Sequence, residues 1–181
     1  IQSDTTNGSQ TFVDSSQKGR TVTVGGDSQH STAQSKFGAS SMYFDGTGDY
    51  LSVPDSNDYN FGTNDFTIEW WFNSSSISTN QAMVKKGSGS SWSNLAWLSW
   101  LSSSKLYFQI SNNGSSGITL VGSTTLSSDT WYHVALVRNG NTFTVYLNGT
   151  SDVSTTSSLT IVDSSYPVTV GIAPDLSSRP F

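Results

Sequence analysis

Apolar positions along the chain come in short runs that alternate with polar ones, and no stretch shows the i, i+3, i+4, i+7 spacing of a helix with capping signals. The runs are TVTV (21–24), SSMYFD (40–45), DYLSVP (49–54), DFTIEWWFN (65–73), AMVKK (82–86), NLAWLSWL (94–101), KLYFQI (105–110), GITLVG (117–122), WYHVALVR (131–138), TFTVYL (142–147) and PVTVGI (167–172). Clusters of Gly, Asn, Asp and Ser separate them. This spacing predicts an all-β protein, an antiparallel sandwich or barrel. Asn139-Gly140 and Asn148-Gly149 mark tight turns, but only the first lies between two long strand patterns, where it predicts a hairpin with a left-handed turn.

Two runs are apolar on both faces. WYHVALVR sets Trp131, His133, Ala135 and Val137 against Tyr132, Val134, Leu136 and Arg138, and DFTIEWWFN sets Phe66, Ile68 and Trp70 against Thr67, Glu69 and Trp71. Such strands are either central and covered on both sides, or they line an aromatic-floored concavity. With no linker and no internal repeat, residues 1–181 read as a single domain.

Composition narrows the class. Charged residues are 12% and aromatics 12%, with Ser, Thr, Gly and Asn making up much of the rest, the style of an extracellular β protein. The net charge of −5 and eight scattered basic residues offer nothing to neutralise a run of phosphates, so nucleic acid is not an expected partner. There is no cysteine, which removes disulfides, a thiol nucleophile and Cys-ligated zinc. No run is long enough for a membrane span, so no membrane insertion is expected. The chain begins at Ile1, which reads as a processed or excised piece.

Candidate chemistry is sparse. His133, on a strand face with Trp131 and Ala135, reads as a partly buried core histidine, and His30, in GGDSQHSTAQS, reads as solvated. Their spacing is not that of a metal pair. Glu69 is the single glutamate; glycoside hydrolysis needs two carboxylates, so Glu69 reads as structural and no enzyme is expected. Asp45, Asp49, Asp55, Asp58 and Asp65 crowd about twenty residues among Gly and Asn, which fits ordinary turns or hard oxygen ligands for calcium. Trp92, in a Ser-rich loop, together with Trp100 and Tyr107, are the candidate sugar-stacking aromatics. Four N-x-S/T sequons, at Asn7, Asn73, Asn113 and Asn148, are glycosylation candidates.

SKFGASSMYFDGTGDYLSVPDSNDYNFGTNDFTIEWWFN, then WYHVALVRNGNTFTVYLNG, then VGIAPDLSSRPF resemble the laminin-G-like, concanavalin A-like jelly-roll domains, over most of the chain. The resemblance implies a two-sheet jelly roll, usually without catalytic activity, that binds carbohydrate or protein in bacterial surface proteins, secreted enzymes and phage fibres. It also implies one structural Ca²⁺, with Asp45 and Asp49 in the F-D-G-x-G-D positions. The ends depart from the family pattern: Ile1 starts inside the first element and Phe181 stops at the start of the last. A longer parent protein, ends outside the observed chain, or a strand donated by a neighbouring subunit would each account for that. The expected function is a non-catalytic recognition or structural module, glycan-binding, on a phage virion fibre or bacterial surface. Multivalent presentation and self-association go with it, and the location is extracellular or on a virion. The alternative is a purely structural, self-assembling subunit such as a capsid decoration or filament; a polysaccharide hydrolase ranks third.

Overall fold

The computed structural model describes residues 1, 6–88, 92 and 94–171. Among these the chain forms β1 (Thr23–Gly25), β2 (Gln29–Ser31), β3 (Ser41–Tyr43), β4 (Tyr50–Val53), β5 (Phe66–Phe72), β6 (Gln81–Gly87), β7 (Leu95–Ser102), β8 (Lys105–Ser111), β9 (Gly117–Val121), β10 (Tyr132–Asn139), β11 (Thr142–Leu147), β12 (Thr150–Thr156) and β13 (Val168–Gly171). One 3-10 turn, Asn57–Tyr59, is their single helical element. No helix among the described residues is long and apolar enough to cross a membrane. The expected closing segment, residues 172–181, lies outside the described residues.

Seven strands form one sheet in the order β1-β4-β13-β6-β7-β8-β9, four form a second in the order β12-β11-β10-β5, and β2 pairs with β3 apart from both. The ladders are antiparallel throughout. This is the antiparallel sandwich that the alternation allows and the two-sheet jelly roll that the resemblance implies. Its core lies between the two sheets, where Val134, Leu136, Phe143 and Val145 of the smaller sheet meet Leu101, Leu106, Phe108 and Ile110 of the larger. Each such side chain contributes about 1.5–3 kcal/mol by leaving water.

Tyr132, Val134 and Leu136 are buried as one face of β10, as their alternation predicts. Arg138 ends that face at 2% exposure. Its burial is compensated there: Nε donates to Gly140 O at 2.9 Å and NH1 to Gly62 O at 2.8 Å, while the guanidinium lies 4.9 Å from the Phe143 ring centroid. One arginine therefore ties two loops to the core.

Three expectations need correction. Asn148-Gly149 also makes a hairpin: Leu147 pairs with Thr150, and the two turn residues have φ of 51° and 80°, the left-handed pair of a type I′ turn. The strand it leads into, β12, has a single apolar residue, Val153, because it is an edge strand with little to bury. β5 is likewise an edge strand, not a central one, so the concavity reading applies to its outer face. His30 is not solvated but 1% exposed, stacked on Phe12 at 4.3 Å with Nε2 2.9 Å from Thr11 O, whereas His133 is partly buried as expected but on the outer face of the smaller sheet rather than in the core. The polar neighbours of His30 hide that it sits on a strand, β2, too short to show alternation.

Candidate functional site

The predicted sugar-stacking trio does come together, on the outer face of the seven-stranded sheet. Trp100 and Tyr107 are cross-strand partners stacked at 4.9 Å, and Trp92 packs against the same cluster with Ala82, Leu95 and Leu98. Trp100 is 7% exposed, and Trp92 and Tyr107 are half-buried rather than open. Trp100 and Tyr107 each turn a ring face to the other.

Open aromatic surface lies elsewhere. Phe37, Tyr43, Ile1 and Trp71 are 65%, 49%, 40% and 38% exposed. All four line two clefts of about 380 and 350 Å³ that share Ser41 and Met42 of β3 together with Trp131. Exposed large hydrophobics scattered singly need no explanation, but a gathering in a concavity marks an interaction site.

The smaller cleft is built on the edge strand β5. Trp71 pairs with His133 across the sheet, their rings 5.1 Å apart, and Phe37 meets Trp71 edge-on at 5.3 Å and 87°. The Lys36 ammonium lies 4.6 Å from the Trp71 ring centroid, and Glu69 Oε2 is 3.4 Å from His133 Nε2. Two ring planes at a right angle, with a cation and a carboxylate beside them, form an open aromatic corner.

The larger cleft is more polar. Ser74 Oγ lies 2.6 Å from Ser76 O and 2.8 Å from Gln81 Oε1, and Gln81 Nε2 donates to Thr79 Oγ1 at 3.0 Å. Asp129 lines the same wall in a left-handed conformation, φ 53°, with its N–H donating to Ser74 O at 2.8 Å. Asn73 Nδ2 is buried in this wall with no hydrogen-bond partner among the described residues.

Asp45 and Gly46 border the larger cleft and lead into an acidic cluster. Asp27, Asp45 and Asp49 each bring a carboxylate oxygen within 4.8 Å of the others. Asp49 is 1% exposed; its Oδ1 accepts from Asp27 N and its Oδ2 from Asp45 N, both at 2.8 Å. Gly26 permits this approach, since a Cβ there would lie 2.2 Å from Asp49 Oδ1. Burial holds the Asp49 carboxyl above its ordinary range, with the Asp27 charge adding to the rise and the two backbone donors opposing it. Hard oxygen donors at this separation fit Ca²⁺, each carboxylate oxygen keeping a lone pair beyond the turn hydrogen bond. The other aspartates disperse: Asp55 pairs with Lys86, Asp58 with Arg20, and Asp65 accepts Gly140 N at 2.6 Å.

Of the sequon asparagines, Asn7, Asn113 and Asn148 are exposed and use Oδ1 to accept backbone N–H groups, whereas Asn73 hides its Nδ2. Trp71 was legible as the one large residue on the polar face of its strand. Phe37, Tyr43 and Asp129 carry no signal of their own.

A family model described as the concanavalin A-like lectin/glucanases superfamily matches residues 45–181. No curated protein matches the sequence significantly. Among solved structures, the binding domain of Paraclostridial Mosquitocidal Protein 1 superposes with a TM-score of 0.70 at 17% identity, over 93% of this chain and 43% of that one. The botulinum neurotoxin serotype D binding domain gives 0.69 at 17%, over 95% and 44%, and the serotype G binding domain 0.69 at 13%, over 93% and 42%. The chain spans less than half the length of these structures. Identities this low speak to the fold.

Proposed function

As the chain belongs to the concanavalin A-like lectin/glucanases superfamily, we propose that it is a non-catalytic recognition module that binds a cell-surface glycan in the two joined clefts. The observation that carries this reading is the convergence of exposed Phe37, Tyr43 and Trp71 with half-buried Trp131 on a groove walled by amides, hydroxyls and carboxylates. Pyranose C–H faces pack on such rings while ring hydroxyls exchange hydrogen bonds with groups such as Asn73 Nδ2 and Asp129. That the solved neighbours are binding domains supports the same reading. The module works outside the cell, as part of a phage virion fibre or bacterial surface assembly. Several copies in one assembly raise a modest single-site affinity.

Calcium belongs to this proposal. Asp27, Asp45 and Asp49 would hold it, and its charge would offset the repulsion among three carboxylates. Asp45 would then stand at a fixed place on the cleft rim.

Titration with a panel of neutral, amino and acidic oligosaccharides tests the reading. Binding by the native chain, weakened at least tenfold by Trp71→Ala or Trp131→Ala, is expected. No binding to any oligosaccharide would defeat it. Release of reducing sugar from a bound oligomer would instead make the module a hydrolase, with Asp45 and Asp129 the carboxylates to replace.

A further inference from the structure

The joined groove is unequal in charge. Among the side chains of its walls, Asp129 in the larger cleft and Glu69 in the smaller are carboxylates and Lys36 is the ammonium, while Asp45 at the rim belongs to the proposed calcium site. That ammonium is itself informative, since it lies 4.6 Å from the centroid of Trp71 and 6.0 Å from that of Phe37. The aromatic corner therefore already holds a primary ammonium, one tethered to the chain by a flexible stem. Asp129 is exposed, with no ion-pair partner among the described residues, and Glu69 Oε2 lies 3.4 Å from His133 Nε2. An acidic glycan would be repelled by Asp129 and Glu69. A glycan carrying ammonium groups would pair with them and place its charge where Lys36 now sits.

We propose that the groove selects amino sugars: polysaccharides whose hexosamine residues bear free ammonium groups, in preference to N-acetylated, neutral or uronate-containing chains. The inference rests on the glycan-binding reading above. In the bound state a pyranose ring lies on Trp71 or Trp131, an ammonium takes the place of the Lys36 head group over the aromatic corner, and Glu69 or Asp129 accepts its hydrogen bonds. Lys36 is then an internal competitor, displaced as the ligand enters.

N-acetylation removes the charge while leaving the ring, so chitosan and chitin oligomers of equal length form a direct comparison. Calorimetric titration at pH 6 with both, and with an oligogalacturonate and a neutral glucan oligomer, is expected to rank the chitosan oligomer first, about tenfold tighter than its acetylated partner. That margin shrinks in 0.5 M salt and in Glu69→Gln and Asp129→Asn. Lys36→Gln is expected to raise chitosan affinity a few-fold. The margin disappears in Trp71→Ala; if it persists there, the attraction is diffuse charge and the proposal fails. Equal binding of acetylated and free oligomers, or a preference for the uronate that Lys36→Gln abolishes, overturns the proposal and leaves glycan binding standing. No binding by any oligomer overturns both.

Discussion

On the outer face of the seven-stranded sheet, Trp100 lies flat on Tyr107 at 4.9 Å and Leu98 beneath them is fully buried. On the outer face of the four-stranded sheet, Trp71 meets Phe37 edge-on and leaves more than a third of its surface to solvent. Residue type is the same in both places, and so is the alternation that points the ring outward. The difference is what each ring touches. A tryptophan whose neighbours are Leu98 and Tyr107 stabilises the sheet, whereas Trp71, beside Lys36, Phe37 and His133, leaves surface open to solvent, where the proposed ligand would lie.

Breaking the covered face has the largest expected effect. Trp100→Ala leaves a void among Ala82, Leu98 and Tyr107 and is expected to cost about 3–5 kcal/mol in denaturant unfolding. The fraction that stays folded is expected to bind glycan as before. Loss of binding at full stability would reverse the roles of the two faces.

Asp49→Ala comes next, because it strands the Asp27 and Asp45 backbone donors at the rim of the open groove; a loss of about 2–3 kcal/mol is expected. Asp49 also gives a pH signature. Its folded pKa is raised, so its contribution is present in full below the unfolded value of about 3.9 and is lost as pH rises through the folded value. In EDTA the Asp49 share of stability is therefore expected to fall as pH climbs above about 4, a fall absent from Asp49→Asn. Millimolar Ca²⁺ is expected to raise the melting temperature most at neutral pH, and Asp27→Asn with Asp45→Asn to remove that rise. A melting temperature indifferent to Ca²⁺ and EDTA would return the cluster to turn chemistry.

A finer probe acts behind the open face. Asn148 Oδ1 accepts His133 N, and Asn148 N donates to His133 O, both at 2.9 Å, so the turn pins the strand residue that faces Trp71. Gly149→Ala, at φ 80°, is expected to cost about 1–2 kcal/mol and to weaken binding only a few-fold. Trp71→Ala has the smallest expected stability cost, about 1 kcal/mol, and the largest effect on binding. An equal loss of stability from Trp71→Ala and Trp100→Ala would erase the distinction between the faces.

The fold was legible because alternation depends on which side of a strand meets the core, a property that neighbouring residues report. Val134, Leu136 and Arg138 fell on the buried face of β10 for that reason. β12 was hidden because an edge strand with one apolar residue lacks that pattern, and only its Asn-Gly turn announced it. The site was legible in part. Asp45 and Asp49 stood out as neighbours in one loop, but Asp27 joins them from 18 residues upstream of Asp45, across a contact that depends on Gly26 having no side chain. Phe37 and Asp129 belong to loops, and loops meet only once the sheets have closed. Trp92 stands in a Ser-rich loop whose polarity suggests exposure, and packing against the cluster of Leu95 and Leu98 leaves it half-buried.

The most direct test follows the six indole N–H resonances by ¹H–¹⁵N NMR while a bound oligosaccharide is titrated in. The account predicts shifts at Trp71 and Trp131, with Trp92, Trp97 and Trp100 unmoved. Shifts at Trp92 and Trp100 that leave Trp71 and Trp131 in place would contradict it and move the site to the other sheet.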